Sequence, residues 1–198
     1  MENICKKPLI IFDCFGVIIK YDVSMVWLRK TFDDDTIAMI RKAYYPDADG
    51  GRISGKQLFE KLSYHSNISA EDIENELHAL VEIDDDMINL VKKLKVNNYV
   101  ALLSNCFSGF LDGILSEYKL NELFDCVVVS CDCNMIKPNR DIYEHMLSFF
   151  EGKCLGAIMI DDNKINLDGA INAGIENTIL HIGSEDTAKR LEKLNIKI

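Results

Sequence analysis

Five short runs along the chain are continuously apolar and rich in β-branched residues: Leu9–Phe12, Val100–Leu103, Cys126–Val129, Ala157–Ile160 and Thr178–Leu180. A strand buried on both faces has no need of polar alternation, so these runs predict parallel strands within a sheet covered on two sides. From the second run onward, segments with helical periodicity lie between them, roughly Phe107–Tyr118, Arg140–Phe150, Ile165–Ala173 and a closing Glu185–Leu194. Strands alternating with helices imply βαβ crossovers, and hence an α/β fold with a doubly wound parallel sheet.

The alternation fails in one place. Between the first strand and the second, residues 21–84 carry helix-like patterns and no convincing strand. Candidate helices are Val23–Thr31, Asp35–Tyr45, Ser54–Tyr64 and Ala70–Val81; Ser54 stands at a capping position, and Ser69-x-x-Asp72 resembles a capping box with Asp in place of Glu. The acidic runs Asp33–Asp35 and Asp84–Asp86 read as loop and helix-start acids, the second marking the end of the insertion. The predicted organisation is a core of residues 1–20 and 85–198 with a small all-helical cap, residues 21–84, over the carboxyl ends of the strands, where an open α/β sheet binds its ligand.

Composition narrows the function. A chain of 198 residues, 48% hydrophobic with only three Pro, suits one core with an insert and not two full-size domains. The formal net charge of −10 argues against a surface that binds nucleic acid or anionic lipid, so an anionic substrate must find a local positive centre. No stretch reaches the roughly 20 apolar residues of a membrane span, and Met1–Lys7 is polar with no apolar signal core behind it; the expectation is a cytoplasmic protein. The seven cysteines, at 5, 14, 106, 126, 131, 133 and 154, lack Cys-x-x-Cys spacing and read as reduced thiols. Cys131 and Cys133 would share one face of a strand without any metal-binding purpose.

The candidate chemistry is positional. The first strand runs into Asp13, the second into Ser104-Asn105, the segment after the third into Lys137-Pro138, and the fourth into Asp161-Asp162. One such Asp is ordinarily a turn former or helix cap. In a parallel sheet, however, all carboxyl ends share an edge, so these groups can converge.

These residues resemble the haloacid dehalogenase-like hydrolase superfamily, whose four motifs occur in order. Ile10-Ile11-Phe12-Asp13-Cys14-Phe15-Gly16-Val17 looks like the first, Leu102-Leu103-Ser104-Asn105 the second, Met135-Ile136-Lys137-Pro138 the third, and Ile160-Asp161-Asp162-Asn163 with Gly169-Ala170 and Ala173-Gly174 the fourth. The helical insert looks like that family's small cap, and Gly51-Arg52-Ile53-Ser54 resembles a segment common within it. The resemblance implies Asp13 as a nucleophile forming a covalent aspartyl intermediate, Ser104 and Asn105 as holders of the transferring group, and Lys137 as a neutralising cation. It further implies a Mg²⁺ ion held by Asp13, the backbone carbonyl of Phe15 and Asp162, with Asp161 as accessory ligand. The implied substrate is a small phosphorylated metabolite. Independently of the resemblance, a carboxylate attacking an anionic phosphate meets repulsion that a divalent cation and a lysine would offset.

One position departs from the phosphatase pattern. The family's phosphatases carry a second Asp two residues after the nucleophile, as acid toward the leaving group and base for water; here that residue is Phe15, which cannot transfer a proton. An aromatic residue there resembles the family's 2-haloacid dehalogenases, whose halide leaves unprotonated. Those enzymes, though, use no Mg²⁺, have small polar residues in place of Asp161-Asp162, and place a water-activating Asp where this chain has Asn166. The other readings are a weakly active or noncatalytic binder of a phospho-ligand or protein, and a receiver domain, which would carry its acidic pair near the first strand and lack the insertion. Cys14 and Cys106 read as small hydrophobes, the four histidines as structural or surface groups, Arg52 as solvated, and Tyr44 and Tyr45 as core.

Overall fold

In the computed structural model, which describes residues 6–198, strands β1 (Lys7–Phe12), β2 (Tyr99–Ser104), β3 (Cys126–Val129), β4 (Cys154–Asp161) and β5 (Asn177–Leu180) form one parallel sheet in the order β3-β2-β1-β4-β5. β1 is central. The chain adds β2 and β3 on one side, then crosses back to place β4 and β5 on the other, so the strand order reverses at the carboxyl end of β1. At such a switch point adjacent connections diverge to opposite faces and leave a crevice. Phe12 pairs in register with both Leu102 and Ile160, which brings the residues that follow each strand to the same level.

The period of two along each strand divides the apolar residues between two faces. Ile10, Phe12, Val100, Leu102, Ile158 and Ile160 pack on one, against α6 (Asp85–Lys95), α7 (Phe110–Glu117) and α11 (Ser184–Lys193). Leu9, Ile11, Ala101, Leu103 and Met159 pack on the other, against α9 (Arg140–Ser148) and α10 (Lys164–Asn172). Because both faces are covered, the strands read as unbroken apolar runs.

Five helices separate β1 from α6: α1 (Val23–Thr31), α2 (Asp34–Ala43), α3 (Tyr45–Asp49), α4 (Gly55–Ser66) and α5 (Ala70–Ala79). The chain leaves and re-enters the core through a short paired stem, with the Lys20 N–H donating to Glu82 O and the Asp84 N–H to Ile18 O, both at 2.9 Å. Local chemistry starts the longer helices of this insert and α6. Asp22, Asp33, Ser54, Ser69 and Asp84 accept from the first-turn N–H groups of α1, α2, α4, α5 and α6. Ser54 and Gln57 form a full capping box. Buried Trp27, Leu28, Leu58, Leu62 and Leu77 of this insert join the same apolar cluster as the upper sheet face, so cap and core share a continuous interior.

Several boundaries differ from expectation. The helix predicted over 35–45 ends at Ala43, and Pro46, which lacks an N–H, sits in the first turn of the separate short α3. The helix predicted from Phe107 starts at Phe110, after Gly109 at φ +84°. Cys131 and Cys133 lie not on a strand but in α8 (Ser130–Cys133), a single turn. None of the described cysteines is paired, and Cys5 lies outside the described residues. No helix among the described residues is long and apolar enough to cross a membrane.

Candidate active site

Asp13 lies one residue past β1, with its N–H still bonded to Ile160 O at 2.9 Å. Its Oδ1 accepts from the Cys14 N–H at 2.6 Å and sits 2.8 Å from Lys137 Nζ. Its Oδ2 has no hydrogen-bond donor among the described residues. The Lys137 ammonium, almost fully buried, also donates to Asp161 Oδ2 at 2.8 Å. Burial alone would pull Lys137 down, but Asp13 and Asp161 outweigh it and hold the ammonium protonated above the usual lysine range. Burial pushes Asp13 up, and the charges of Asp161 and Asp162 add to that against the pull of Lys137.

The two members of the acidic pair sit in opposite environments. Asp161 is fully buried and every oxygen is engaged: Oδ1 accepts from the Asn163 N–H at 2.8 Å and Oδ2 from Lys137, while Asn166 Nδ2 reaches both at 3.1 Å. Asp162 is exposed and accepts no hydrogen bond from a described residue. Its carboxylate lies directly against Gly16, where a Cβ would fall 2.3 Å from Oδ2; the φ of +85° there also favours glycine. Asp13, Asp161 and Asp162 each offer an oxygen within 4.8 Å of the others. Three carboxylates against one ammonium, with only oxygen donors, form a set that fits a hard divalent cation such as Mg²⁺.

The strand-two residues divide differently from expectation. Ser104 is fully buried, directs its hydroxyl to Asn105 O at 3.4 Å and does not line the cavity. Asn105 lines it but clamps the lysine loop: its Nδ2 donates to Lys137 O and its Oδ1 accepts from the Lys137 N–H, each at 2.9 Å. A second close approach holds that loop from below, since a Cβ on Gly169 of α10 would meet Pro138 O at 2.4 Å. Asn139 occupies the first cap position of α9 without a side-chain bond, so these contacts, and not a cap, place Lys137.

Above this floor opens a cavity of about 320 Å³ that also takes its walls from Phe15, Phe107 and Phe110 and, on the cap side, from Asp22, Ser24, Arg41, Tyr45 and Asp49. Tyr45 is therefore both buried and a wall residue, while Arg52 is exposed and paired to Asp47 at 2.6 Å, and Tyr44 bonds His65 at 2.9 Å. None of the four histidines lines the cavity. Cys14 and Cys106 are buried, which raises both thiols and suits them to packing. Asp22, Arg41 and Asp49 were not singled out by sequence. They sit on cap helices whose orientation carries no linear signal.

Comparison with known proteins places this arrangement. A family described as haloacid dehalogenase-like hydrolase matches residues 10–180. The chain belongs to that family. Among curated relatives of this hydrolase, the pyrimidine 5'-nucleotidase YjjG of Escherichia coli K12 is 24% identical over 85% of this chain and 80% of its own. Other curated relatives are covered over less than half their length. A predicted HAD-like family hydrolase from Porphyromonas gingivalis superposes with a TM-score of 0.78 at 23% identity, covering 98% of this chain and 100% of that one. A HAD family enzyme from Bacteroides thetaiotaomicron, solved with magnesium and inorganic phosphate, does so at 0.70 and 20% identity, covering 88% and 93%. At these identities the two structures show that the fold is shared.

Proposed function

We propose that this hydrolase is a Mg²⁺-dependent phosphatase that acts on a small phosphorylated metabolite through an aspartyl-phosphate at Asp13. The observation that carries the reading is the asymmetry of the Asp13 carboxylate, with Oδ1 held by Lys137 and Cys14 and Oδ2 without a donor among the described residues, in a group that also approaches Asp162. A nucleophile needs one fixed and one available oxygen. Asp13, Asp162 and the Phe15 carbonyl would hold the cation, whose charge offsets repulsion between carboxylate and phosphate. Lys137 pulls Asp13 back toward its ionised form against the effect of burial and neutralises the transferring group, while Asp161 and Asn166 orient Lys137. The cavity, about 320 Å³, suits a metabolite-sized ligand.

The test is phosphate release from a panel of phosphomonoesters with Mg²⁺ or with EDTA. Metal-dependent turnover that Asp13→Asn abolishes is the expected result; full activity in that variant removes Asp13 from the chemistry. Phe15 favours a second reading, dehalogenation of a 2-haloacid. Halide release that persists in EDTA would establish it, although the acidic pair on the floor favours the metal-dependent reaction.

A further inference from the structure

An alkoxide leaving phosphorus needs a proton, and the position two residues after the nucleophile cannot supply it. The Phe15 ring stacks on Phe110 at 6.3 Å, with planes 19° apart, against the apolar cluster. Most other polar groups on the cavity wall are committed or unsuited. Lys137 is held between two carboxylates, and an arginine such as Arg41 does not give up its proton. Asp22 uses Oδ1 to cap α1 and Oδ2 to face Arg41 at 3.5 Å. Burial holds the Tyr45 hydroxyl and the Cys106 thiol far above their ordinary ranges, so neither exchanges protons near neutrality.

Asp49 is different. It is the last residue of α3 and lines the cavity, and its carboxylate has no hydrogen bond or ion pair with any described residue. The turn that follows fixes it against the core: Gly51, at φ +72°, comes so close to α8 that a Cβ would meet Cys131 O at 2.4 Å. The Arg52 N–H closes back on Asp47 O at 2.8 Å. The cap thus presents a carboxyl group, on a braced element, to the same cavity as Asp13.

Resting on the phosphatase reading above, we infer that Asp49 is the proton donor and acceptor of the reaction, taking from the cap the role that Phe15 cannot fill. In the first half, Asp13 Oδ2 bonds to phosphorus, the bond to the ester oxygen breaks, and that oxygen takes its electron pair and the Asp49 proton to leave as an alcohol. In the second, water attacks phosphorus and gives a proton to the Asp49 carboxylate. The bond to Asp13 breaks with its pair returning to the carboxylate, and phosphate departs. Burial, reinforced by Asp22 and opposed by Arg41 and Lys137, pushes the Asp49 carboxyl up to about 7, which populates both forms near neutral pH. α4 and α8 put no ionisable side chain into the cavity wall.

The experiment compares wild type with Asp49→Asn, in Mg²⁺, on p-nitrophenyl phosphate and a panel of alkyl phosphates including glycerol phosphate, following the first turnover against pH. An aryl leaving group departs without a proton; an alkyl one does not. Asp49→Asn is expected to lower the alkyl rate by ~10²-fold or more and to lose the fall of that rate as pH rises through about 7. On the aryl ester it should keep a p-nitrophenolate burst near one per site, followed by slow release of phosphate. Unchanged alkyl turnover and pH profile in Asp49→Asn, equal loss on both ester classes, or a wild type that cleaves aryl but no alkyl esters would each overturn the role of Asp49 while leaving Asp13 chemistry standing. No Asp13-dependent turnover or burst from any ester would instead overturn the phosphatase reading itself.

Discussion

On the floor of the cavity, Asp13, Lys137, Asp161, Asn166 and Asn105 are bonded to one another or to backbone, and only Asp162 points outward unbonded. On the cap wall, Asp22 and Arg41 meet in a long, half-exposed pair, and Asp49 meets nothing. The floor must hold like charges together before a substrate arrives, so it is interlocked and preorganised. On the wall the Asp49 carboxylate has no partner among the described residues, which leaves it available to a ligand. The two sides thus differ in how far their charged groups are tied before any ligand arrives.

The strongest way to break this contrast is Lys137→Met. It strands Asp13 and Asp161 as buried carboxylates without a counter-charge, and should cost about 3–5 kcal/mol in urea unfolding at neutral pH without metal. The deficit should shrink as pH falls, because Asp13, already pushed up by burial, takes a proton. A loss under ~1 kcal/mol would mean that the floor is not an interlocked network.

Metal binding sharpens the comparison next. Mg²⁺ at ~100 times its Kd should stabilise the fold by about 2.7 kcal/mol, a rise in Tm of roughly 5–10 °C. Asp162→Asn on the floor should abolish that rise and Arg41→Ala on the wall should leave it intact; thermal unfolding with Mg²⁺ or EDTA reads both. If both variants lose the effect, floor and wall are not separable.

A smaller effect tests the wall. Because the folded environment raises Asp49, its protonated form is favoured in the native state, and the associated stability is present at low pH and lost as pH rises from the ordinary aspartate range through about 7. Asp49→Asn should accordingly stabilise the protein by about 1–2 kcal/mol near pH 8, a figure reduced for its partial exposure, with no gain below about pH 4. Denaturation curves at the two pH values decide it, and a destabilised variant would mean that Asp49 holds the cap together.

Much of the floor was legible in the chain because strand ends are local. An unbroken apolar run names a buried parallel strand, and the next polar residue must emerge at the common edge, as Asp13 and the Asp161-Asp162 pair do. The loop lysine could be placed there too, since it follows the third strand closely. The helix starts at Asp33, Ser54, Ser69 and Asp84 were equally local, each resting on one side chain reaching its own first turn.

Other features depend on distance through space. The inequality between Asp161 and Asp162 arises because one points into the bonds of Lys137 and Asn166 and the other toward Gly16, a matter of orientation between neighbours. Withdrawal of Ser104 from the cavity, and the use of Asn105 as a clamp on Lys137, likewise needed the packed loops.

By itself, then, the sequence determined the parallel sheet, the inserted helices and the list of charged groups at one edge, because periodicity and capping act over a few residues. Only the tertiary structure decided which of those groups are tied and which are free, and that Asp49 and Arg41 line the same cavity as Asp13. The packing of cap on core is set by apolar contacts between segments far apart in the chain, which leave no local pattern to read.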